Sequence, residues 1–256
     1  MKYGICNLGV IPLRKEADDR SEQVSQLLYG EIFTINKEDK HWYHITLDYD
    51  QYSGWIDSKQ CQLIDVKTFE LLKNTPSTLA GELIDYISNT RGDLILTPIG
   101  SELTYLKIKE LNINQYNYDG KTIKKHDFIN KTDIIRNALQ YLNTPYLWGG
   151  RTPFGIDCSG FTQMVYKLSG ISLPRDASMQ VKTGTPLSFI EECEAGDLAF
   201  FDNEQGHITH VGIIMENNFI IHASGKVKID QIDHLGIFDT KTNQHTHRLR
   251  ILKRLI

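Results

Sequence analysis

Short apolar runs separated by turns fill the first quarter of the chain. Val24-Ser25-Gln26-Leu27-Leu28-Tyr29-Gly30-Glu31 is followed by Glu31-Ile32-Phe33-Thr34-Ile35-Asn36, with apolar residues alternating at 33 and 35. His41-Trp42-Tyr43-His44-Ile45-Thr46-Leu47 is aromatic and β-branched, and Tyr52-Ser53-Gly54-Trp55-Ile56 follows a polar turn. Strands this short and this closely spaced predict a small β-barrel over residues 1–64. Residues 65–128 are less periodic: Thr68 to Leu83 can hold helical turns, and Leu94–Thr97 and Leu103–Leu106 read as strands. The expectation there is a second, degenerate barrel or a linker.

From 129 to 256 the pattern changes. Ile134, Ile135, Ala138, Leu139 and Leu142 recur at helical spacing behind a capping Asn130 or Thr132, and the helix should stop before Asn143-Thr144-Pro145. A glycine-rich aromatic loop, Tyr146-Leu147-Trp148-Gly149-Gly150, precedes a second helical face, Phe161, Met164, Val165 and Leu168, closed by Gly170. Three strands follow, at Leu198–Phe201, His210–Met215 and Phe219–Ala223. Helices first and an antiparallel sheet afterwards make an α+β fold.

The 256 residues are 40% hydrophobic, enough for a sizeable core, and the net charge of -4 does not suggest a nucleic acid or anionic membrane as partner. Gly4, Asn7 and Pro12 break the N-terminus before a secretory apolar run can form, and no run of about 20 apolar residues occurs. Taken as the native start, this N-terminus predicts a cytoplasmic protein. The four cysteines, at 6, 61, 158 and 193, have neither disulfide-framework nor zinc-site spacing, so no metal or cofactor is expected.

Cys158 differs from the other three by its setting, Gly155-Ile156-Asp157-Cys158-Ser159-Gly160. It opens the second predicted helix, where unpaired N–H groups favour an anion, so its thiol should be depressed below the ordinary value. Asp157, the predicted cap, opposes this as a like charge, and a histidinium would settle the balance. A buried, inert cysteine is the commoner fate of the residue type, but a core position would not be flanked by Asp, Ser and Gly.

Nine histidines can serve as base. If Glu216-Asn217-Asn218 is a three-residue hairpin loop, Met215 faces Phe219, His222 faces Gly212, and His210 is a diagonal neighbour of His222. A two-residue loop would put the imidazoles on opposite faces. Under the first alternative Cys158 is nucleophile, His210 base and His222 its orienter, with the Cys158 N–H in an oxyanion site worth roughly 3–4 kcal/mol. His207 and His234 fall in predicted loops.

Residues 130 to about 230 resemble the NlpC/p60 peptidases, a papain-like family acting on bacterial cell-wall peptides. The resemblance rests on Thr144–Gly150, Asp157-Cys158-Ser159-Gly160-Phe161, Leu173–Ser178, Gly196-Asp197-Leu198-Ala199-Phe200-Phe201, His210-Val211-Gly212-Ile213 and Ile221-His222-Ala223-Ser224. Residues 1–64 resemble bacterial SH3-like domains through Pro12-Leu13-Arg14, Leu28–Glu31, Trp42 and Gly54-Trp55-Ile56. The likeness implies a catalytic triad of Cys158, His210 and His222. With the SH3-like N-terminus it further implies γ-D-glutamyl-L-diamino acid endopeptidase activity on murein-derived peptides with a free N-terminal L-Ala. The bond cut joins D-Glu to L-Lys or meso-diaminopimelate, as in murein peptide recycling, by a monomer.

An ammonium ligand set is also implied: Tyr146, Asp157 and Ser159, with Glu22 and Tyr52 from the first barrel and Glu31 as the competitor for Glu22. Trp148 is expected to wall the cleft, and Arg175 and Asp176 carry no assigned role. Two other readings stand beside this one: a non-catalytic wall-peptide binding module, and an amidase or acyltransferase using the same three residues.

Overall fold

The computed structural model describes residues 1–108, 111, 115–124 and 130–256. The chain divides into two compact units: Met1–His126 with Trp148–Pro153, and Asp127–Leu147 with Phe154–Ile256. The boundary expected at 128/129 lies outside the described residues.

In the first unit seven strands are Lys2–Ile5 (β1), Val10–Arg14 (β2), Gln23–Leu28 (β3), Ile32–Asp39 (β4), Trp42–Leu47 (β5), Ser53–Asp57 (β6) and Gln62–Ile64 (β7). They form one antiparallel sheet in the order β3-β2-β6-β5-β4-β1-β7, an SH3-like barrel. Period-two alternation sends Ile11, Leu13, Phe33, Ile35, Ile45 and Leu47 into its core, where Tyr52 packs half-buried against them.

Asp65 caps the helix Val66–Asn74 (α1), accepting the Thr68 N–H at 2.7 Å. This helix ends before Pro76, earlier than the expected reach to Leu83, because a residue preceding proline avoids helical backbone. Thr78–Ala80 (β8), Ile84–Ser88 (β9), Leu94–Pro98 (β10) and Thr122–Lys124 (β11) then form two two-stranded ladders, β9–β10 and β8–β11. Leu103–Leu106, read as a strand, is a turn of helix instead, Thr104–Lys107 (α2). Leu103 and Leu106, three residues apart, meet the same small core, and Glu102 Oε1 accepts the Thr104 N–H at 3.1 Å to start the turn.

The segment Arg151–Thr152 (β12) belongs to this unit. Arg151 is fully buried and makes two 3.0 Å hydrogen bonds to the buried Glu31 carboxylate. Gln26 anchors the same arginine twice, its backbone C=O accepting from Nη1 at 2.6 Å and its side chain accepting the Arg151 N–H at 2.7 Å.

The second unit holds Lys131–Gln140 (α3), Gly155–Ile156 (β13), Cys158–Leu168 (α4) and Ala177–Gln180 (α5). Of the two expected caps, Asn130 and Thr132, it is Asn130 that caps α3, accepting the Thr132 N–H. α4 is buried along its whole length, and Gly170, at φ +85°, ends it with the Ile171 N–H bonded to Tyr166 O and the Gly170 N–H to Lys167 O. Seven strands follow: Thr185–Leu187 (β14), Leu198–Asp202 (β15), Ile208–Met215 (β16), Phe219–Ser224 (β17), Lys226–Ile232 (β18), Gly236–Asp239 (β19) and Gln244–Arg254 (β20).

Their order is β14-β20-β15-β16-β17-β18-β19, and β20 also pairs with β19, so the sheet closes on itself. Ala199, Phe201, Ile214, Ile220, Ile232, Ile237 and Leu252 fill its interior. β14 and β18 to β20 lie outside the three strands that the sequence pattern predicts.

Glu31 and Arg151 are both almost wholly shielded from water. Arg151→Ala, which strands the carboxylate, should cost about 3–5 kcal/mol in urea unfolding, whereas replacing both partners by Leu and Met should cost less, about 1–3 kcal/mol, because it leaves no buried charge and strands only the Gln26 C=O and the Leu28 N–H. Equal losses for the two variants would contradict this account of the pair.

Candidate active site

The start of α4 is built by Asp157. Its Oδ1 accepts the Gly160 N–H at 2.7 Å, which fixes Cys158 as the first helical residue. Arg175 holds the same carboxylate from the other side, Nη1 to Oδ1 at 3.0 Å and Nη2 to Oδ2 at 2.6 Å, and reaches the Ser159 hydroxyl at 3.0 Å. The loop that brings Arg175 in is pinned by Gln180, whose Nε2 donates to Ser159 O and Pro174 O, both at 2.9 Å.

Tyr146 is brought beside this helix start by a short bridge. Ile156 N–H bonds to Pro145 O at 3.0 Å, and Tyr146 N–H to Gly225 O at 2.9 Å. Burial, and then the neighbouring Cys158 and Asp157, push the Tyr146 hydroxyl up to about 12, so it is a neutral donor.

The Cys158 sulfur lies 4.0 Å from Thr209 O and also takes the Val211 N–H, against the backbone on either side of His210. Contrary to the expectation from the helix start, its thiol is pushed up to about 12. Burial is the main cause and the Asp157 charge the second, and the nearby N–H groups and Arg175 only partly offset them. The resting side chain is therefore a thiol, and its reactivity depends on a base.

Of the two loop lengths weighed for the hairpin between β16 and β17, the structure has the three-residue one. Asn217 and Asn218 stand at φ +58° and +59°, Met215 pairs with Phe219, and Gly212 pairs with His222. A Cβ on Gly212 would lie 2.9 Å from that of His222, so this close approach requires glycine. His210 Nε2 is 2.9 Å from His222 Nδ1, and His222 Nε2 is 3.0 Å from Asp230 Oδ2 on β18. Lys228 Nζ lies 2.7 Å from the same oxygen.

Burial raises the Asp230 carboxyl, but its bonds to His222 and Lys228 prevail and hold it at about 2. An ionised Asp230 can only accept, so His222 Nε2 carries a hydrogen and its Nδ1 accepts. His210 Nε2 must then donate, which leaves the Nδ1 lone pair to take a proton. Both imidazoles are neutral near pH 7: burial carries His210 well below the usual histidine value and lowers His222 despite the pull of Asp230.

In the first unit the exposed Trp148 indole donates to Glu22 Oε1 at 2.8 Å, and its backbone C=O accepts from Gln23 at 3.1 Å. That bond, and then Lys15, hold the Glu22 carboxyl low. Glu31, the competitor, is buried on Arg151. Tyr52 lies in the same unit.

Arg175 as the partner of Asp157, and Asp230 and Lys228 behind His222, are not among the residues that the sequence pattern assigns to the site. Gly225 was a usable signal for the last two: at φ +70° it turns β17 straight into β18, placing Lys228 opposite His222. Among the described residues, no group of His, Cys, Asp and Glu is arranged to hold a metal ion, and no helix is long and apolar enough to cross a membrane.

Residues 143–246 match the NlpC/P60 family model, and residues 13–60 match the bacterial dipeptidyl-peptidase SH3 domain. The chain carries an NlpC/P60 cysteine peptidase domain behind a bacterial SH3 domain. It is similar to the gamma-D-glutamyl-L-lysine dipeptidyl-peptidase of Bacillus subtilis (strain 168), 28% identical over 221 residues that span 78% of this chain and 71% of that one. Dipeptidyl-peptidase 6 of Lysinibacillus sphaericus is 28% identical over 259 residues, 86% of this chain and 88% of its relative. The crystal structure of an NlpC/P60 family protein from Bacillus cereus ATCC 10987 shares the fold, with a TM-score of 0.82 over 99% of both chains at 19% identity.

The two tautomers can be checked directly. Asp230→Asn can present N–H to His222, reverse both tautomers and occupy the His210 lone pair, so iodoacetamide labelling of Cys158, mapped by mass spectrometry at neutral pH, should slow at least about tenfold. Labelling at the wild-type rate would rule out the proposed direction of the hydrogens.

Proposed function

We propose that this peptidase hydrolyses the amide between the D-Glu side-chain carboxyl and L-Lys or meso-diaminopimelate in cell-wall peptides that begin with a free L-Ala, releasing L-Ala-γ-D-Glu. The carrying observation is the bonded series His210–His222–Asp230, which leaves a basic nitrogen on the histidine whose flanking backbone cradles the Cys158 sulfur. The similarity to a gamma-D-glutamyl-L-lysine dipeptidyl-peptidase supports the choice of bond.

His210 Nδ1 takes the thiol proton as Sγ attacks the γ-carbonyl carbon. The C–N bond breaks, the leaving amine takes that proton back, and a thioester remains on Cys158. Water then adds to the thioester carbonyl through the same base, freeing the dipeptide and restoring the thiol. The Cys158 N–H supplies an oxyanion donor.

The substrate's ammonium calls for acceptors, which Tyr146, Ser159 and Asp157 can provide. Arg175 already engages Asp157, so the ammonium would share that carboxylate with a guanidinium. The resemblance further assigns Glu22 and Tyr52 of the first barrel to the amine, and the burial of Glu31 on Arg151 leaves Glu22 as the exposed carboxylate of the two. Recycling of fragments in the cytoplasm is the setting that fits a substrate with a free amino end.

Purified protein should release L-Ala-D-Glu from L-Ala-γ-D-Glu-L-Lys, and Cys158→Ala should lower turnover by at least about a thousandfold. Substantial turnover by that variant would refute the mechanism. N-acetylation of the tripeptide should stop cleavage, and an acetylated substrate cut at the normal rate would remove the ammonium site from the proposal.

A further inference from the structure

The hydrogen bond to His222 holds His210 by one edge and leaves its ring faces to other neighbours. The closest is His247 on β20, its ring centroid 4.2 Å from that of His210 and the planes 30° apart. Phe201 lies 5.7 Å from His210 at 47° and 6.0 Å from His247, and His247 is 5.7 Å from His222. His247 Nδ1 lies 2.9 Å from the Thr246 hydroxyl, which anchors the ring from its own strand. The residue is half-buried, sits one position beyond the end of the family match, and stands on a strand that its sequence pattern did not reveal.

We propose that His247 is a positioning residue for His210: it covers one face of the imidazole, keeps it in the rotamer that the His222 bond requires, and shields it from water so that it stays a neutral base. The proposal rests on the reading of His210 as the base for Cys158. A single hydrogen bond does not fix rotation about that bond, and a stacked ring removes this freedom.

The groups around this cluster are Phe201 on β15, His222 on β17, Lys228 and Asp230 on β18, and Thr246 on β20, with the Cys158 sulfur against the backbone on either side of His210. Burial, then the positive charge His222 can acquire and that of Lys228, push His247 down to about 4, against the pull of Asp230. His247 is therefore uncharged at neutral pH and does not compete as a base. His210 itself is held low by burial first and by His222 and His247 next. Opening its face to water should raise its proton affinity toward that of an ordinary histidine, so activity would be lost at a higher pH on the acid side.

The test compares full-length wild type, His247→Ala, His247→Phe and Cys158→Ala. In His247→Ala, kcat on L-Ala-γ-D-Glu-L-Lys should fall about tenfold with KM within about twofold, while His247→Phe, which keeps a ring, should recover to within about threefold. The acid midpoint of iodoacetamide labelling at Cys158 should rise by about one unit in the Ala variant and return in the Phe variant. Thermal unfolding measures how much of each variant is folded.

Three outcomes overturn the proposal: wild-type kcat and midpoint in His247→Ala, a Phe variant as slow as the Ala variant, or a loss of activity that follows loss of folded protein with the midpoint unmoved. If wild type leaves the tripeptide intact, the substrate reading fails, yet the labelling midpoint still tests His247. If the tripeptide is cut, Cys158→Ala is dead and His247→Ala is normal, only the His247 proposal fails.

Discussion

One carboxylate sets the direction of the hydrogens along the histidine series. Asp230, held ionised between His222 and Lys228, can only accept, and two imidazoles in series carry that constraint across three adjacent strands to His210. The far nitrogen of His210 is left without a hydrogen, at the strand position whose backbone touches the Cys158 sulfur. Sheet register makes this possible. Gly212 against His222 and His222 against Lys228 are adjacent rungs, and a one-residue slip would turn the histidine out of the closed sheet.

The thiol itself is not tuned for reactivity in the resting state. A helix start favours an anion, but Cys158 is 7% exposed and adjoins a carboxylate, and burial outweighs the helix. Arg175 offsets part of the Asp157 charge without removing the effect of burial. Reactivity must therefore come from proton transfer to a base, and the precision of the base matters more than the acidity of the thiol.

Buried guanidinium–carboxylate pairs recur as the fasteners of this chain. Arg175 binds Asp157 and ties a loop to the start of α4, while Arg151 binds Glu31 and ties Trp148–Pro153 to the SH3-like barrel. Each arginine lies outside the secondary structure it secures, and each holds both oxygens of its carboxylate. A planar fork on a carboxylate fixes orientation as well as distance, which suits segments with little hydrophobic anchoring of their own.

Local chemistry was enough for the sequence to determine the helix cap at Asp157 and the glycine stop at Gly170, and to narrow the cap of α3 to Asn130 or Thr132 and the β16–β17 loop to two lengths, of which the three-residue one joins His210 to His222. Those features depend on residues within a few positions of one another. Leu103–Leu106 misled because two leucines three apart fit a short strand and a helical turn equally well, and the Glu102 carboxylate decided between them. Arg175, Asp230 and His247 could not be placed from pattern alone. Each acts through a partner on another element, and what brings them together is the closure of the sheet by β20 and the burial of ionic partners, which only the tertiary structure decides.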